Sequence, residues 1–256
     1  MTDTTSGQTA AMPLLYRNPR PLSAERHKNR LYTPPKDFRF AAGLNSVVIC
    51  GNEFPLAQRF YPIVFTAREP VAALAVLGLQ RNDNLFVDEA GAWADGAYVP
   101  AYVRRYPFIF MEGAGDQLVL CIDEESSALT ETDGQKLFDQ DQPTPLVAEA
   151  LRFSAAFHQQ AKDTTAFARA LEEHKLLVEN TANVTLKAGR HFSLSGFRVI
   201  DERKFNELPN DVILDWRKRG WLALVYCHLL SMANWSRLSE LAARRIPAAG
   251  AADRPN

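Results

Sequence analysis

Near Pro145 the hydrophobic pattern of this chain changes period, and that change limits the fold more than any other feature of the sequence. Before it, short apolar runs such as Ser46 to Cys50, Tyr61 to Thr66, Phe108 to Met111 and Gln117 to Ile122 are separated by turn residues, as in small antiparallel sheets. After it, Leu146, Ala150, Phe153 and Phe157 recur every three or four positions, the spacing of one helix face. The pattern predicts an α+β protein: an antiparallel, β-rich N-terminal half packed with a mainly helical C-terminal half. A single domain is expected over residues 12–238, flanked by disordered tails at 1–11 and 242–256, both short of apolar periodicity.

Several elements can be placed in advance. The runs around Glu112-Gly-Ala-Gly-Asp116 form the clearest hairpin, and Asp95-Gly96 makes a tight turn within a smaller one. Pro100 suits the start of a short helix over AYVRRY. Val71 to Gly78 fits a buried strand or a helical turn, and residues 123–145 read as a polar connector with a weak apolar pair at Leu137 and Phe138. A second helix is expected from Asp163 to His174, short strands from Leu176 to Ile200, a cap at Asp201, another cap at Asn210 or Asp211, and a largely buried helix from Trp221 to Met232.

Charge and cysteine content narrow the function classes. Lys and Arg number 29 against 30 Asp and Glu, so no overall field draws the chain to nucleic acid or to an anionic membrane. Cys50, Cys121 and Cys227 lie far apart in apolar company and read as reduced core residues, without disulfide or zinc spacing. The start, MTDTTSGQTA, lacks the basic and apolar regions of a secretory signal, which implies cytoplasmic synthesis and leaves surface association to a signal-independent route. The longest apolar stretches fall well short of the roughly 20 residues of a transmembrane helix.

Reaction motifs are weak. His27, His158, His174, His191 and His228 form no close ligand pair, so neither a metal nor another cofactor is assigned. A meeting of His158 and His174 would require their two helices to pack antiparallel. Ser193 and Ser195 lack the flanking glycines of a nucleophile elbow, and Gly113-Ala-Gly115 lies in an acidic setting that suits a turn and would repel a pyrophosphate. Arg217-Lys-Arg219 reads as a solvated helix end. The strongest candidate is the concentration of Trp93, Tyr98, Tyr102, Arg104, Arg105 and Tyr106 around turns, since guanidinium groups among aromatic rings are suited to hold a carboxylate, a phosphate or a peptide. The alternative is that the rings pack a hairpin while the arginines pair with Asp88 and Glu89.

Five phrases, Asn84-Leu-Phe-Val-Asp-Glu89, Tyr98-Val-Pro100, Arg104-Arg-Tyr-Pro-Phe108, Leu194-Ser-Gly-Phe-Arg-Val199 followed by Asp201-Glu202, and Gly220 through His228-Leu-Leu230, together resemble the bacterial SapC-like family from about Met12 to Leu238. The resemblance implies association with surface-layer or envelope processes and brings no catalytic residues. Some members are encoded beside outer-membrane receptors, flavin-dependent halogenase-like proteins and cupin-like oxygenases, which implies an accessory role. A non-enzymatic binding protein with a protein or peptide partner is therefore the leading expectation. The alternatives are a metal-dependent oxygenase or hydrolase, or the partner subunit of a flavin or cupin-type modifying system.

Overall fold

The computed structural model describes residues 14–113, 117–185 and 191–245. In chain order the first elements are β1 (Pro19–Pro21), α1 (Ala24–His27), β2 (Leu31–Tyr32), β3 (Ser46–Val48), α2 (Phe54–Ala57), β4 (Ile63–Thr66), β5 (Ala73–Val76) and α3 (Ala101–Arg104). The hairpin β6 (Phe108–Glu112) and β7 (Leu118–Asp123) follows, then the two-residue strands β8 (Leu129–Thr130), β9 (Gln135–Lys136), β10 (Phe138–Asp139) and β11 (Gln142–Pro143). The remainder is α4 (Pro145–Glu173), β12 (Leu177–Thr185), β13 (His191–Ile200), α5 (Glu202–Asn206), α6 (Asn210–Arg219), α7 (Trp221–Ser231) and α8 (Asn234–Arg245). Strand pairing is antiparallel throughout, sheets gather mostly in the first half and helices in the second, and the fold class is α+β.

The chain divides into two compact units. The first comprises the residues up to Pro35 together with Tyr106–Leu151. It holds the sheets β1-β7-β6 and β8-β2-β9 and the pair β10-β11. Phe108, Ile122, Leu137, Phe138 and Val147 close its core, with Tyr32, Leu120 and Leu129 packed against them. The stretch expected to be a connector is thus part of a core, because Leu137 and Phe138 are buried despite the polar residues around them. Asp123, fully buried, anchors the N-terminal segment by accepting hydrogen bonds from the amides of Arg17 (3.0 Å) and Asn18 (2.9 Å) and from the Tyr106 hydroxyl (3.2 Å).

The second unit, Lys36–Arg105 with the chain from Arg152 onward, is built on a five-stranded sheet in the order β12-β13-β4-β5-β3. The ambiguous stretch before Gly78 is a strand, and that glycine is required there: a Cβ would stand 1.8 Å from the Asp83 carbonyl oxygen. Leu176 to Ile200 forms one long hairpin, not several short strands. Its register shifts where Thr181 faces both Ser195 and Gly196, a bulge that the glycine accommodates with φ +83°. Gly189, expected to punctuate this segment, lies outside the described residues.

The two helices expected beyond Pro145 are one. No glycine or proline interrupts α4 after its first residue, and Thr164 and Thr165 return their hydroxyls to the carbonyls of Gln160 (2.6 Å) and Ala161 (2.9 Å), so the polar Lys162–Thr165 stretch stays helical. From α4, Phe167 packs against Phe54, Phe65, Trp216 and Trp221, with ring centroids 5.9 to 6.5 Å away. Asp201 caps α5 as expected, through the amides of Arg203 and Lys204, whereas the residue preceding α6 is Pro209. Helix α7 is less buried than its composition suggests: Val225, His228 and Ser231 face inward while Tyr226 and Leu230 are exposed. Helix α8 runs through Ala242 to Arg245, four residues into the stretch expected to be a tail.

Helix α7 also completes the sheet. Strands β13 and β4 share only the pairs Phe197 with Thr66 and Arg198 with Phe65. Where they part, His228 inserts its ring: Nε2 accepts from the Ile200 amide (3.0 Å) and Nδ1–H donates to the Ile63 carbonyl (2.8 Å). Ser231 Oγ accepts from the Ile63 amide at 2.9 Å and donates to the His228 carbonyl at 2.6 Å. The ring is thus fixed as the neutral Nδ1–H tautomer, and burial holds its pKa down at about 4.

Candidate functional site

Glu53 organises the site. It ends the 3₁₀ turn Gly51–Glu53, and its side chain returns to the start of that turn, where Oε2 accepts from the Cys50 amide at 2.8 Å. Oε1 accepts from two groups far along the chain, the Ala101 amide (2.7 Å) and the Tyr98 hydroxyl (2.9 Å). One buried carboxylate therefore satisfies an otherwise orphaned amide at the start of α3 and fixes the Tyr98 ring.

Pro100 cannot donate an amide hydrogen and bends the chain into the single turn of α3, which presents Arg104 and Arg105 in succession. Arg104 donates from Nε to the Val99 carbonyl (3.0 Å) and from Nη2 to the Tyr98 hydroxyl (3.1 Å), with Cζ 5.6 Å from the Tyr98 ring centroid and 5.4 Å from that of Phe153. Arg105 lies between the rings of Tyr102 (4.2 Å) and Phe157 (4.4 Å). Neither guanidinium pairs with Asp88 or Glu89; Asp88 accepts instead from the Ala92 amide at 2.8 Å. The arginines are held by aromatic faces, an arrangement that keeps charge at a partly apolar surface.

These side chains border a cavity of about 650 Å³ within the second unit. Cys50, Asn52, Glu53 and Leu56 line it from the α2 side. Tyr98, Val99 and Arg104 line it from α3 and the preceding segment, and Phe153, Ala156, Phe157 and Gln160 from α4. The Cys50 thiol, 3.8 Å from the Phe157 carbonyl, is pushed up to about 12, first by burial and then by the Glu53 charge, and so stays protonated. Burial, with the same carboxylate, likewise raises Tyr98 to about 12, so its hydroxyl keeps the proton that it donates to Glu53.

Of the six residues singled out from sequence, Tyr98 and Arg104 line the cavity, and Tyr102 and Arg105 are joined to its wall through Phe157. Trp93 stands behind it, packed against Phe38 and Phe86; its Nε1 donates to the Tyr61 hydroxyl at 3.2 Å, and that hydroxyl donates to the Tyr98 carbonyl. Tyr106 belongs to the first unit, beside Tyr16 and Asp123. Sequence reasoning missed Cys50, Asn52, Glu53 and Leu56, whose only local signal was Pro55 near a helix start. Phe153 and Phe157 are visible in the sequence as part of one helix face, with no sign that this face borders a cavity.

The histidines stay apart. His158 lies within α4 and His174 directly follows its last residue, with about 22 Å of helix at 1.5 Å per residue between His158 and Glu173, so the two cannot share a ligand. His174 packs against Trp216, and the nearby Glu172 pairs with Arg198 at 2.9 Å. Among the described residues no three His, Cys, Asp or Glu side chains are placed to hold a metal ion, and no helix is long and apolar enough to cross a membrane.

Fold and site together define an α+β protein with an arginine-and-aromatic cavity braced by one buried carboxylate. The SapC family model matches residues 22–238, most of the chain, and the chain belongs to the SapC family. No curated protein and no solved structure matches it.

Proposed function

We propose that this SapC-family protein is a non-enzymatic accessory protein that serves surface-layer or envelope processes by binding a protein or peptide partner, and that the α3 face presents the contact. The observation that carries the reading is the clamped guanidinium of Arg104. Two hydrogen bonds and two ring faces hold its plane at the cavity, and no carboxylate among the described residues lies within ion-pair distance of it. A fixed cation with donors to spare, set beside apolar surface, is suited to recognise an anionic group on a partner. The protonated state of Cys50 makes that thiol a poor nucleophile, which favours binding over thiol chemistry at this cavity.

The test is affinity capture from the native host with the wild-type chain and with Arg104→Ala. The variant should keep its unfolding midpoint and lose the partner that the wild type retains. Equal recovery of that partner by both proteins would remove the α3 face as the contact.

A further inference from the structure

Resting on the partner-binding reading, we propose that the Arg104 cavity takes the free C-terminus of a peptide whose last residue is apolar. The terminal carboxylate lies on the guanidinium, and the last side chain enters the cavity.

Five features carry this. A guanidinium has five N–H donors in a fixed fork. The hydrogen bonds of Arg104 use Nε and Nη2, leaving donors of the fork for the two oxygens of a carboxylate. The walls next to it are apolar: Leu56, 47% exposed, stands opposite Phe153, Ala156 and Phe157, which suits a Leu or Phe side chain. Asn52 and Gln160 also line the cavity, and their side-chain amides match the donors and acceptors of a peptide backbone, which a simple fatty acid lacks. The one negative charge of the lining is already occupied. Glu53 is 3% exposed, both its oxygens accept hydrogen bonds within the protein, and the Tyr98 hydroxyl stands between it and Arg104. The volume of about 650 Å³ falls within the roughly 300 to 1,000 Å³ of ordinary ligand sites, enough for one large side chain and the backbone before it.

Calorimetric titration of the full chain with acetyl-Gly-Gly-Leu-Phe free acid, with its C-terminal amide, and with octanoate tests the proposal. The free acid should bind saturably, and the amide and octanoate at least tenfold more weakly. Arg104→Gln should weaken the free acid at least tenfold. Ala156→Trp, which fills the cavity from an exposed position of α4, should do the same, both with an unchanged thermal transition. The proposal falls if no probe binds, if acid and amide bind alike, if octanoate binds as tightly as the peptide, or if Arg104→Gln binds like the wild type. Should the probes fail while Arg104→Ala still loses its captured partner, the terminus is wrong and the partner surface stands. Should that variant also keep its partner, both readings fall.

Discussion

Acidification should weaken this fold through His228, and the size of the effect follows from its surroundings. The imidazole is wholly buried between β4 and β13, with both ring nitrogens hydrogen-bonded in the neutral form. Its pKa falls from an ordinary 6.5 to about 4, chiefly by burial. Above pH 6.5 folded and unfolded chains are both neutral at this site and its full contribution is present. Between 6.5 and about 4 only the unfolded chain takes up the proton, so stability is lost steadily as pH falls. The shift corresponds to about 3 kcal/mol by pH 4, a large share of the roughly 5 to 15 kcal/mol that holds a domain together. Urea unfolding of wild type and His228→Gln at fixed ionic strength, from pH 7.5 to 4, isolates it. His27, also lowered by burial, and the carboxylates titrate in both proteins and cancel in the difference. At pH 7.5 the variant should be the less stable, and the gap should shrink by about 3 kcal/mol on acidification. A gap that does not change with pH would refute the reasoning.

Three further outcomes follow from the geometry. Glu53→Ala strands the amides of Cys50 and Ala101 and the Tyr98 hydroxyl, and should cost about 3 to 5 kcal/mol in urea unfolding; a loss under about 1 kcal/mol would show that these donors find other acceptors. Arg105→Ala, which empties the slot between Tyr102 and Phe157, should cost about 1 to 2 kcal/mol, whereas the exposed Arg104→Ala should cost less than about 1 kcal/mol, so equal midpoints would contradict the difference between the two sites. Gly78→Ala must move the Asp83 backbone and should destabilise by about 1 to 3 kcal/mol in thermal unfolding; a neutral result would mean that the turn shifts freely.

Much of the architecture was legible because local chemistry and final packing agree. The hairpin of β6 and β7 was visible because two apolar runs flank a glycine-rich turn, and the start of α4 because Leu146, Ala150, Phe153 and Phe157 keep one phase. The break expected within α4 is absent: Lys162 and Asp163 sit on a solvent-exposed part of a helix that the threonine hydroxyls and Phe167 keep intact. Helix α7 shows the converse, since an apolar composition does not say which faces find neighbours, and Tyr226 and Leu230 find too few to be covered. At the cavity, Tyr98 and Arg104 stood out as exposed-type residues near a turn. Glu53 did not, because its importance lies in collecting donors from Tyr98 and Ala101, 45 and 48 residues away, a pairing that no local pattern encodes.

The double grip of α7 on Ile63 has a consequence for how the sheet opens. The amides of Ile63 and Ile200 sit in strands, yet each donates to a helix side chain instead of a neighbouring strand. Their deuterium uptake in heavy water therefore reports the detachment of α7. The two should exchange together, at a rate set by that helix, while the amides between β4 and β5 remain protected.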